Sequence, residues 1–314
     1  MSNIVQSLIE KQVFTFDSST NIDHIILDQE DIIVDINNNK INIHSSHDLN
    51  EGNKYRLSLV LPYIVNTIQK YNKSVKFIFA IGDILKKDYG NVPVICFSKK
   101  KHINGILIPN IDFFTGVIYS VLNESSNDID YLEKQNSSIF VGSSTGSFQN
   151  NTRILYGSKC LQIPRHKCII SNLCQASESE WTNNYPYVLK LISQPLTIKE
   201  QLNNKIVINI DGNTLCWSRL YWQMNSNSIP VYINQNNEDI QLFDYLNHDG
   251  TYISSNLDNS IQVLDSILDS YSYREISEIN KCGKEFCNQN FQEYLINPKN
   301  FLQNVINSIF DRIL

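Results

Sequence analysis

The sequence has no excess of basic residues and little glycine or proline, and each shortage excludes a class of protein. Its 26 lysines and arginines are outnumbered by 32 aspartates and glutamates, which gives a formal charge of −6. Binding to a phosphate backbone needs clustered Lys and Arg, so we expect no nucleic-acid partner. With 11 glycines and 8 prolines in 314 residues, collagen-like and linker-like architectures are excluded. A hydrophobic fraction of 42% indicates instead a chain with a core.

Long apolar runs and targeting segments are missing too. No stretch approaches the roughly 20 uninterrupted apolar residues of a membrane-spanning helix, so we expect no integral membrane segment. The N-terminus, MSNIVQSLIEKQVFTF, lacks the pattern of a secretory signal, and the C-terminus, FDRIL, is not an ER-retention signal. Seven cysteines, an odd number, favour reduced thiols. We therefore expect a cytoplasmic protein.

Familiar nucleotide and metal motifs are also lacking. There is no Walker A sequence, no GxGxxG and no HExxH. His44 and His47 have no Cys or carboxylate nearby at zinc-ligand spacing. Asp128-Ile129-Asp130 forms a DxD, which in some sugar-nucleotide enzymes holds a divalent metal. Because it lies in a polar segment, solvated loop carboxylates are the better interpretation. We expect no metal and no cofactor.

The first half of the chain alternates strands with helical segments. Residues 24–44 alternate Ile and Val with polar residues, which predicts short strands around an Asn turn. Helical spacing of apolar residues predicts a helix within 55–71, and a buried strand follows at Val75–Ile81. VPVICFS is another β-rich run, and ILIPNIDFF at 106–114 is a further strand and turn. The polar run at 123–138 is the best candidate for a domain boundary.

The second half restarts the pattern. SSIFVGS at 137–143 predicts a strand that enters a Gly/Ser loop. KIVINID at 205–211 is a near-continuous apolar strand, as buried parallel strands are, and IPVYI at 229–233 is another. Strands separated by helical segments predict an α/β fold with largely parallel pairing. We expect two α/β domains, at 1–135 and 136–314.

The last helix is well signalled. Asn297 stands as N-cap and Pro298 lies in the first turn, ahead of apolar residues at helical spacing. The second domain should therefore end in an amphipathic helix at 298–314.

A strand, a turn and a helix within 205–233 form the first candidate site. The buried strand runs into Asp211-Gly212-Asn213-Thr214, and the predicted helix after it contains Arg219. Backbone N–H groups at that helix start would face the carboxyl edge of the sheet, where α/β folds bind anions. Arg219 could reach a phosphate from the same end. An ordinary strand–turn–helix with a surface arginine stays open as the alternative.

The loop in FVGSSTGSFQNNTR, at 140–153, is the second candidate site. Small hydroxyl residues and glycines let backbone amides approach a phosphate or a sugar. The loop contains Gly142, Ser143, Ser144, Thr145 and Gly146.

The same loop also spells G-x-S-x-G, the nucleophile elbow of α/β-hydrolases, with Ser144 as the nucleophile. Asp211 or Asp239, ahead of His248, would complete the order Ser–acid–His. The elbow needs a helix directly after Gly146, and SFQNNT is a poor helix start. A serine hydrolase is therefore the weaker alternative.

Asp83 directly follows a buried strand, beside Gly82. Carboxylates at the carboxyl ends of strands are where α/β enzymes place catalytic groups, and a partly desolvated Asp can act as a base. The same side chain could instead cap the following turn. Asp88 is a weaker second candidate.

Taken in order, these segments resemble glycosyltransferase family 90, which includes capsule-associated, lipopolysaccharide-modifying and protein O-glucosyltransferases. INIDGNTLCWSRLYWQMNSNSIPVY at 208–232 resembles the family's strand–DGN–W-S/D-R-L helix–SNS–strand block. FVGSSTGSFQNNTR resembles its F-R-G-S-x-T-G…R loop. GDILKKDYGNVPVICFSK followed by ILIPNIDFF resembles its Asp-containing strand end and the segments after it. The resemblance covers residues 76–300.

The resemblance implies a GT-B fold, in which two Rossmann-like domains face a cleft and the C-terminal one holds most of the sugar nucleotide. The implied activity is inverting transfer of a sugar, usually glucose or xylose, from a UDP-sugar donor without a required metal. The acceptor would be a hydroxyl of a glycan or polysaccharide, bound on the N-terminal side. Asp83 matches the family's general base on that hydroxyl.

The resemblance also implies a set of donor-binding residues. Arg219 and the helix start at 212–218 match the diphosphate-binding elements, while Ser143, Thr145 and Arg153 match the donor-side loop. The full implied set is Gly142, Ser143, Thr145, Arg153, Asp211, Gly212, Asn213, Trp217 and Arg219.

Two departures from the family pattern bear on function. Val141 stands where the family has the Arg of F-R-G, so one basic group is missing unless another Arg compensates. Secretory members also carry a signal and an ER-retention tail, and their lack here favours glycan or surface-polysaccharide assembly in the cytoplasm. A non-catalytic sugar-nucleotide or glycan-binding protein stays open as an alternative.

Overall fold

The computed structural model describes residues 8–12, 22, 24–37, 40–71, 74–234 and 238–313, without the side chains of 312 and 313. The described strands are β1 Asp31–Asn37, β2 Lys40–Ser45, β3 Val75–Ala80, β4 Val94–Cys96, β5 Ser98–Lys100, β6 Ile106–Leu107, β7 Gln135–Gly142, β8 His166–Ile170, β9 Asn204–Ile210, β10 Ile229–Ile233, β11 Asp239–Gln241 and β12 Ile253–Ser255. The described helices are α1 Glu51–Tyr71, α2 Ile111–Thr115, α3 Val117–Ser126, α4 Thr152–Cys160, α5 Glu178–Asn184, α6 Ile198–Gln201, α7 Ser218–Met224, α8 Ser260–Ser270, α9 Tyr273–Ile296 and α10 Pro298–Ile313.

These elements divide into two units, which are described separately. The first unit contains the described residues of 1–117, 238–247 and 292–314. The second unit contains those of 118–237 and 248–291.

The first unit is built on a mixed sheet with the order β2-β1-β3-β4-β6. β1 pairs antiparallel with both β2 and β3, whereas β3, β4 and β6 run parallel to one another. Strands are therefore confirmed within 24–44, but Asn38 and Asn39, where the Asn turn was predicted, lie outside the described residues. β5 leaves this sheet and pairs antiparallel with β11. The predicted strand at Val75–Ile81 is confirmed as β3, one residue shorter.

The terminal helix α10 belongs to the first unit, not to the second as the expected boundary at 135/136 required. Its polar side packs on α1, where Thr67 Oγ1 lies 2.7 Å from Asn307 Oδ1 and Gln303 Nε2 donates to Thr67 Oγ1 at 2.8 Å. Its apolar side is buried, and the Phe310 ring meets the edge of Phe77 on β3 at 5.8 Å. An amphipathic helix packs against whichever hydrophobic core covers its apolar face. The sequence pattern identifies the apolar face of α10, but it does not show which unit's core covers that face.

The second unit is built on a parallel sheet with the order β12-β10-β9-β7-β8. Every pairing in it runs parallel, as predicted for the near-continuous apolar strands β9 and β10. The chain passes from β7 outward to β8 and then crosses to β9 on the opposite side of β7. The strand order therefore reverses between β7 and β9. In open α/β sheets, the carboxyl edge at such a reversal is the usual place for a ligand.

The polar run at 123–138, expected as a domain boundary, is an ordered part of the second unit. The Asp128 carboxylate accepts from Lys134 Nζ at 2.6 and 2.7 Å and from the Asn227 amide at 2.7 Å. The side chains of Asp128 and Lys134 are almost completely buried. The expectation of two solvated carboxylates is therefore wrong for Asp128, because a lysine inside the same segment pairs with it. Asp130 caps the short 3-10 turn that follows.

No helix in the described ranges combines the length and the apolar character that a membrane crossing requires.

Candidate functional site

Three loops meet at the carboxyl edge of the second unit's sheet, and Asn213 joins them. Asn213 lies in the loop after β9, and its Oδ1 accepts from the Gly146 amide at 3.0 Å in the loop after β7. The same oxygen accepts from Gln175 Nε2 at 2.7 Å in the loop after β8. Gln175 Oε1 in turn accepts from the Gly146 amide at 3.1 Å. The two segments singled out in the sequence therefore meet at the point where the strand order reverses.

Glycines allow the first and third loops to approach this closely. Gly146 has φ +119°, a backbone conformation that favours glycine. A Cβ on Gly212 would lie 2.6 Å from Thr145 Oγ1 and 2.9 Å from Arg153 Nη2. Only glycine fits at 212 while those two side chains keep their positions, which is a physical reason for the Asp-Gly-Asn sequence.

Arg153 hydrogen-bonds to both the loop after β7 and the loop after β9 and so links them. Its Nη1 donates to the Ser143 carbonyl at 2.9 Å and to Thr145 Oγ1 at 2.6 Å. Its Nη2 donates to the Ile210 carbonyl at 2.9 Å, and its Nε to the Asp211 carbonyl at 3.0 Å. The side chain is buried. A guanidinium whose N–H groups are engaged inside the protein shapes a site more than it binds a ligand.

Arg219 enters the same region from α7 and is only half-buried. Its guanidinium carbon lies 5.1 Å from the centroid of the Phe140 ring, and its Nη1 donates to the Val141 carbonyl. Burial, and then the nearby Arg153 charge, lower the pKa of Arg219 from its usual value, yet an arginine stays charged at neutral pH. Among the residues that the structure describes, no carboxylate pairs with Arg219. The edge of the sheet thus carries a fixed positive charge.

Asp211 points inward. Its Oδ2 accepts from the Tyr232 hydroxyl at 2.5 Å, and its Oδ1 from the Cys216 amide at 3.2 Å. The carboxylate is buried and fixes the course of the loop. Its predicted donor contact stays a prediction, as does that of Trp217 at the end of the loop.

The predicted helix start at 212–218 is correct only at its last residue. Residues 212–217 form a loop, and the helix begins at Ser218 and has seven residues. The loop is held by Asp211 and Arg153 in an irregular course, which helical spacing alone could not reveal. We therefore assign no anion-binding role to this short helix's N-terminus.

Val141 directs its side chain into an apolar cluster with Ile139, Val207 and Trp222. Its carbonyl accepts from Arg219 Nη1. A basic side chain at 141 would thus have to leave this cluster.

The arrangement of a serine hydrolase is contradicted by the surroundings of Ser144. The Ser144 hydroxyl is fully buried and accepts from the Cys174 amide at 2.8 Å. No histidine among the described residues hydrogen-bonds to it. The helix that follows begins only at Thr152, so Gly146 does not lead directly into a helix as an elbow requires.

Asp83 lies in the first unit, three residues after the end of β3, and is paired with Arg56 of α1. Arg56 Nη2 donates to Asp83 Oδ1 at 2.6 Å, and Arg56 Nη1 donates to the Ile81 carbonyl at 3.1 Å. The Asp83 side chain is 32% exposed, so the carboxylate is held in place and remains accessible. Sequence reasoning missed Arg56, because its partner is 27 residues away and no local pattern connects them.

The structure therefore brings eight of the predicted donor residues to one sheet edge of the second unit, namely Gly142, Ser143, Thr145, Arg153, Asp211, Gly212, Asn213 and Arg219. Gln175 is an addition that sequence reasoning missed. Its φ of +70° is unusual for a residue other than glycine, and the sequence carries no signal of it.

Comparison with known families and curated proteins returned no match, either to a family model or to a curated protein. Among solved structures, the chain is similar to HepE of Anabaena in complex with UDP and glucose, with 10% identity, a TM-score of 0.40, and coverage of 67% of this chain and 62% of that one. It is similar to a glycosyltransferase from Rickettsia africae, with 13% identity, a TM-score of 0.40 and coverage of 84% and 85%.

A third similarity is to a glycosylation-associated protein complex from Streptococcus agalactiae, with 11% identity, a TM-score of 0.36, and coverage of 75% and 47%. The chain thus spans less than two thirds of the Anabaena and Streptococcus chains. All three TM-scores lie below 0.5, so these likenesses establish neither the fold nor the activity of this chain.

Proposed function

We propose that the chain is an inverting glycosyltransferase of GT-B type that transfers glucose or xylose from a UDP-sugar to a hydroxyl of a glycan or polysaccharide, without a metal. The proposal rests on the resemblance to glycosyltransferase family 90 and on the meeting of the resembling segments in space. Segments around Gly146 and Asn213, far apart in the chain, share one sheet edge at the reversal of strand order. That edge is where α/β folds bind nucleotides.

The observation that carries the proposal is the position of Arg219. Its guanidinium lies over the Phe140 ring at this edge, and no carboxylate of the described residues neutralises it. A fixed cation that is partly shielded from water stabilises a developing negative charge strongly, because it needs no reorganisation when the charge appears. A departing UDP carries such a charge on its diphosphate.

Arg153 and the glycines have a different part in this proposal. Arg153 holds Ser143 and Thr145 against the Gly212 loop, so that the walls of the donor site keep their shape. The backbone amides and hydroxyls of these loops would then contact the nucleotide. Holding a substrate in a defined geometry accounts for a large part of many enzymatic rate enhancements.

Asp83 is the proposed general base. In a single displacement, the acceptor hydroxyl oxygen bonds to the anomeric carbon as the bond from that carbon to the diphosphate oxygen breaks. The hydroxyl proton passes to Asp83, and the bonding electron pair leaves with UDP. One displacement inverts the anomeric configuration. Arg56 would hold the carboxylate in position for this transfer.

Asp83→Asn tests the proposal, because the amide cannot accept the proton. We expect sugar transfer to fall by about 10²–10⁴-fold, while UDP affinity by calorimetry stays unchanged. Asp88→Asn is the matched control: it removes an exposed carboxylate five residues away and should leave transfer intact. Near-normal turnover in Asp83→Asn would overturn the assignment of the base.

A further inference from the structure

The first unit contains a cavity of about 530 Å³, which we call the Asn53 pocket. The lining residues used below are Asp28, Glu30, His47, Asp48, Asn53 and Lys86. Asn53 lies one helical turn before Arg56, the partner of Asp83. The Glu30 side chain lies over Gly82, because a Cβ on that glycine would be 2.5 Å from Glu30 Oε2. Glu30, which lines the pocket, therefore reaches the residue before the proposed base.

Asn53 itself indicates that the pocket takes a polar ligand. The residue is 5% exposed, and its backbone amide donates to Asn50 Oδ1 at 2.8 Å. Its side-chain amide hydrogen-bonds to none of the residues that the structure describes, and the residue lines the pocket. An amide offers both donors and an acceptor, so a hydroxyl or an amine of a ligand would satisfy it.

The charge of the lining selects among polar ligands. Asp28, Glu30 and Asp48 supply three carboxylates against a single lysine. That lysine, Lys86, already contacts Glu30, with Nζ 3.2 Å from Oε2. His47 Nδ1 lies 2.8 Å from Ser46 Oγ. Because three carboxylates face one lysine, the lining has an excess of acidic groups, which attracts a cation and repels a carboxylate or phosphate.

We propose that the Asn53 pocket binds an amine-bearing sugar of the acceptor glycan, with its hydroxyls on Asn53 and its ammonium group among Asp28, Glu30 and Asp48. The term acceptor rests on the proposed function, in which Asp83 takes the proton of the attacking hydroxyl. It names a substrate class that the resemblance does not supply: a glycan with free amines, in preference to neutral or acidic glycans.

Binding of three defined trisaccharides tests the pocket without any donor. We would titrate the purified chain at pH 7 with a glucosamine trisaccharide, its fully N-acetylated counterpart and trigalacturonate. The glucosamine trisaccharide should bind at least about fivefold tighter than the acetylated one, which is the effect of one ion contact in a water-like environment. The preference should shrink in 0.5 M NaCl, because salt screens exposed charges.

Variants locate the binding. Asp48→Asn, on an exposed segment where folding is not at risk, should remove most of the preference for the amine. Asn53→Ala should weaken both glucosamine-based ligands. Glu51→Gln is the matched control, since it removes a neighbouring carboxylate that is 91% exposed and does not line the pocket. It should change nothing.

Equal or tighter binding of the acetylated ligand, tighter binding of trigalacturonate, or no binding of any of the three would overturn the inference. These outcomes are distinguishable from failure of the proposed function, because UDP release from a donor can be measured without an acceptor. A chain that releases UDP but shows no amine preference refutes only the pocket. A chain that prefers the amine but neither binds nor cleaves a UDP-sugar refutes only the transferase.

Discussion

Asn213 accepts a hydrogen bond from the backbone amide of Gly146 at 3.0 Å, although 67 residues separate them in the chain. The contact joins the Asp-Gly-Asn turn to the Gly/Ser loop, two of the segments that carry the sequence resemblance. Because both follow neighbouring strands of a parallel sheet, their meeting is a consequence of the strand order. The proposed donor site is therefore a product of the topology and not of either segment alone.

Arg219→Ala should chiefly weaken UDP binding. A charge-assisted hydrogen bond contributes about 1.5–3 kcal/mol, so we expect UDP affinity by calorimetry to fall about tenfold to 100-fold. Arg274→Ala is the control, because it removes the same charge from an exposed position of α9 in the same unit. Unchanged UDP affinity in Arg219→Ala would remove this residue from the site.

Arg153→Met should mainly lower the stability of the second unit, and any effect on sugar transfer should follow from that loss. The substitution keeps much of the side-chain volume but leaves the carbonyls of Ser143, Ile210 and Asp211 without their donor. Loss of such buried partners costs about 1–3 kcal/mol for each group left unpaired. We expect a loss of at least about 2 kcal/mol in the free energy of unfolding in urea. Loss of UDP affinity with unchanged stability would show instead that Arg153 contacts the donor directly.

Arg56→Met should reduce kcat and leave UDP affinity unchanged, because Arg56 positions Asp83 and lies in the other unit from Arg219. A displacement of the carboxylate by about 1 Å can cost about 100-fold in rate. Arg56→Lys keeps the charge but not the two-point contact with Asp83 and the Ile81 carbonyl. Its kcat should lie between that of the unchanged chain and that of Arg56→Met. A loss in Arg56→Met alone would mean that the positive charge is sufficient, an equal loss in both variants would mean that the two-point contact is required, and no loss in either would exclude a positioning role.

A buried histidine at the opposite edge of the second sheet should make stability depend on pH. His166 is held between Ser138 Oγ at 2.8 Å and Asp265 Oδ1 at 2.9 Å. Burial lowers the pKa of His166 below its ordinary value of 6.5, despite the opposing effect of Asp265. As the pH falls, His166 in the unfolded chain therefore binds a proton near pH 6.5, whereas His166 in the folded chain binds it only at a lower pH.

It follows that His166 makes the free energy of unfolding fall as the pH drops through 6.5 toward the folded pKa. His166→Asn should flatten the urea-unfolding profile in that window, whereas His102→Asn, at an exposed histidine, should not. A mutant profile that is parallel to that of the unchanged chain would show that His166 titrates alike in both states.

Much of this fold could be predicted from local pattern. β9 and β10 were recognised because both faces of a buried parallel strand are apolar, and α10 because Asn297 and Pro298 mark its start. The pattern failed where a long-range partner decides the outcome. Asp128 looks like a solvated loop carboxylate until Lys134 and Asn227 are found beside it.

The candidate site divides in the same way. The glycines and Arg219 could be singled out from the sequence, since a turn after a strand is a local feature. The inward role of Arg153, the link through Gln175 and the pairing of Arg56 with Asp83 could not, because each depends on a contact between distant segments. The N-terminus of α7 was misplaced because a helical pattern of side chains continued into a loop fixed by Asp211.

The most direct test of the proposed transferase is UDP release by the purified chain, with UDP-glucose, UDP-xylose, UDP-galactose and UDP-N-acetylglucosamine offered in turn. No acceptor is needed, because a bound water can replace the acceptor hydroxyl slowly. We predict release from UDP-glucose or UDP-xylose, lost in Asp83→Asn and retained in Asp88→Asn. No UDP release from any of the four donors, together with no measurable UDP binding, would contradict the proposed function.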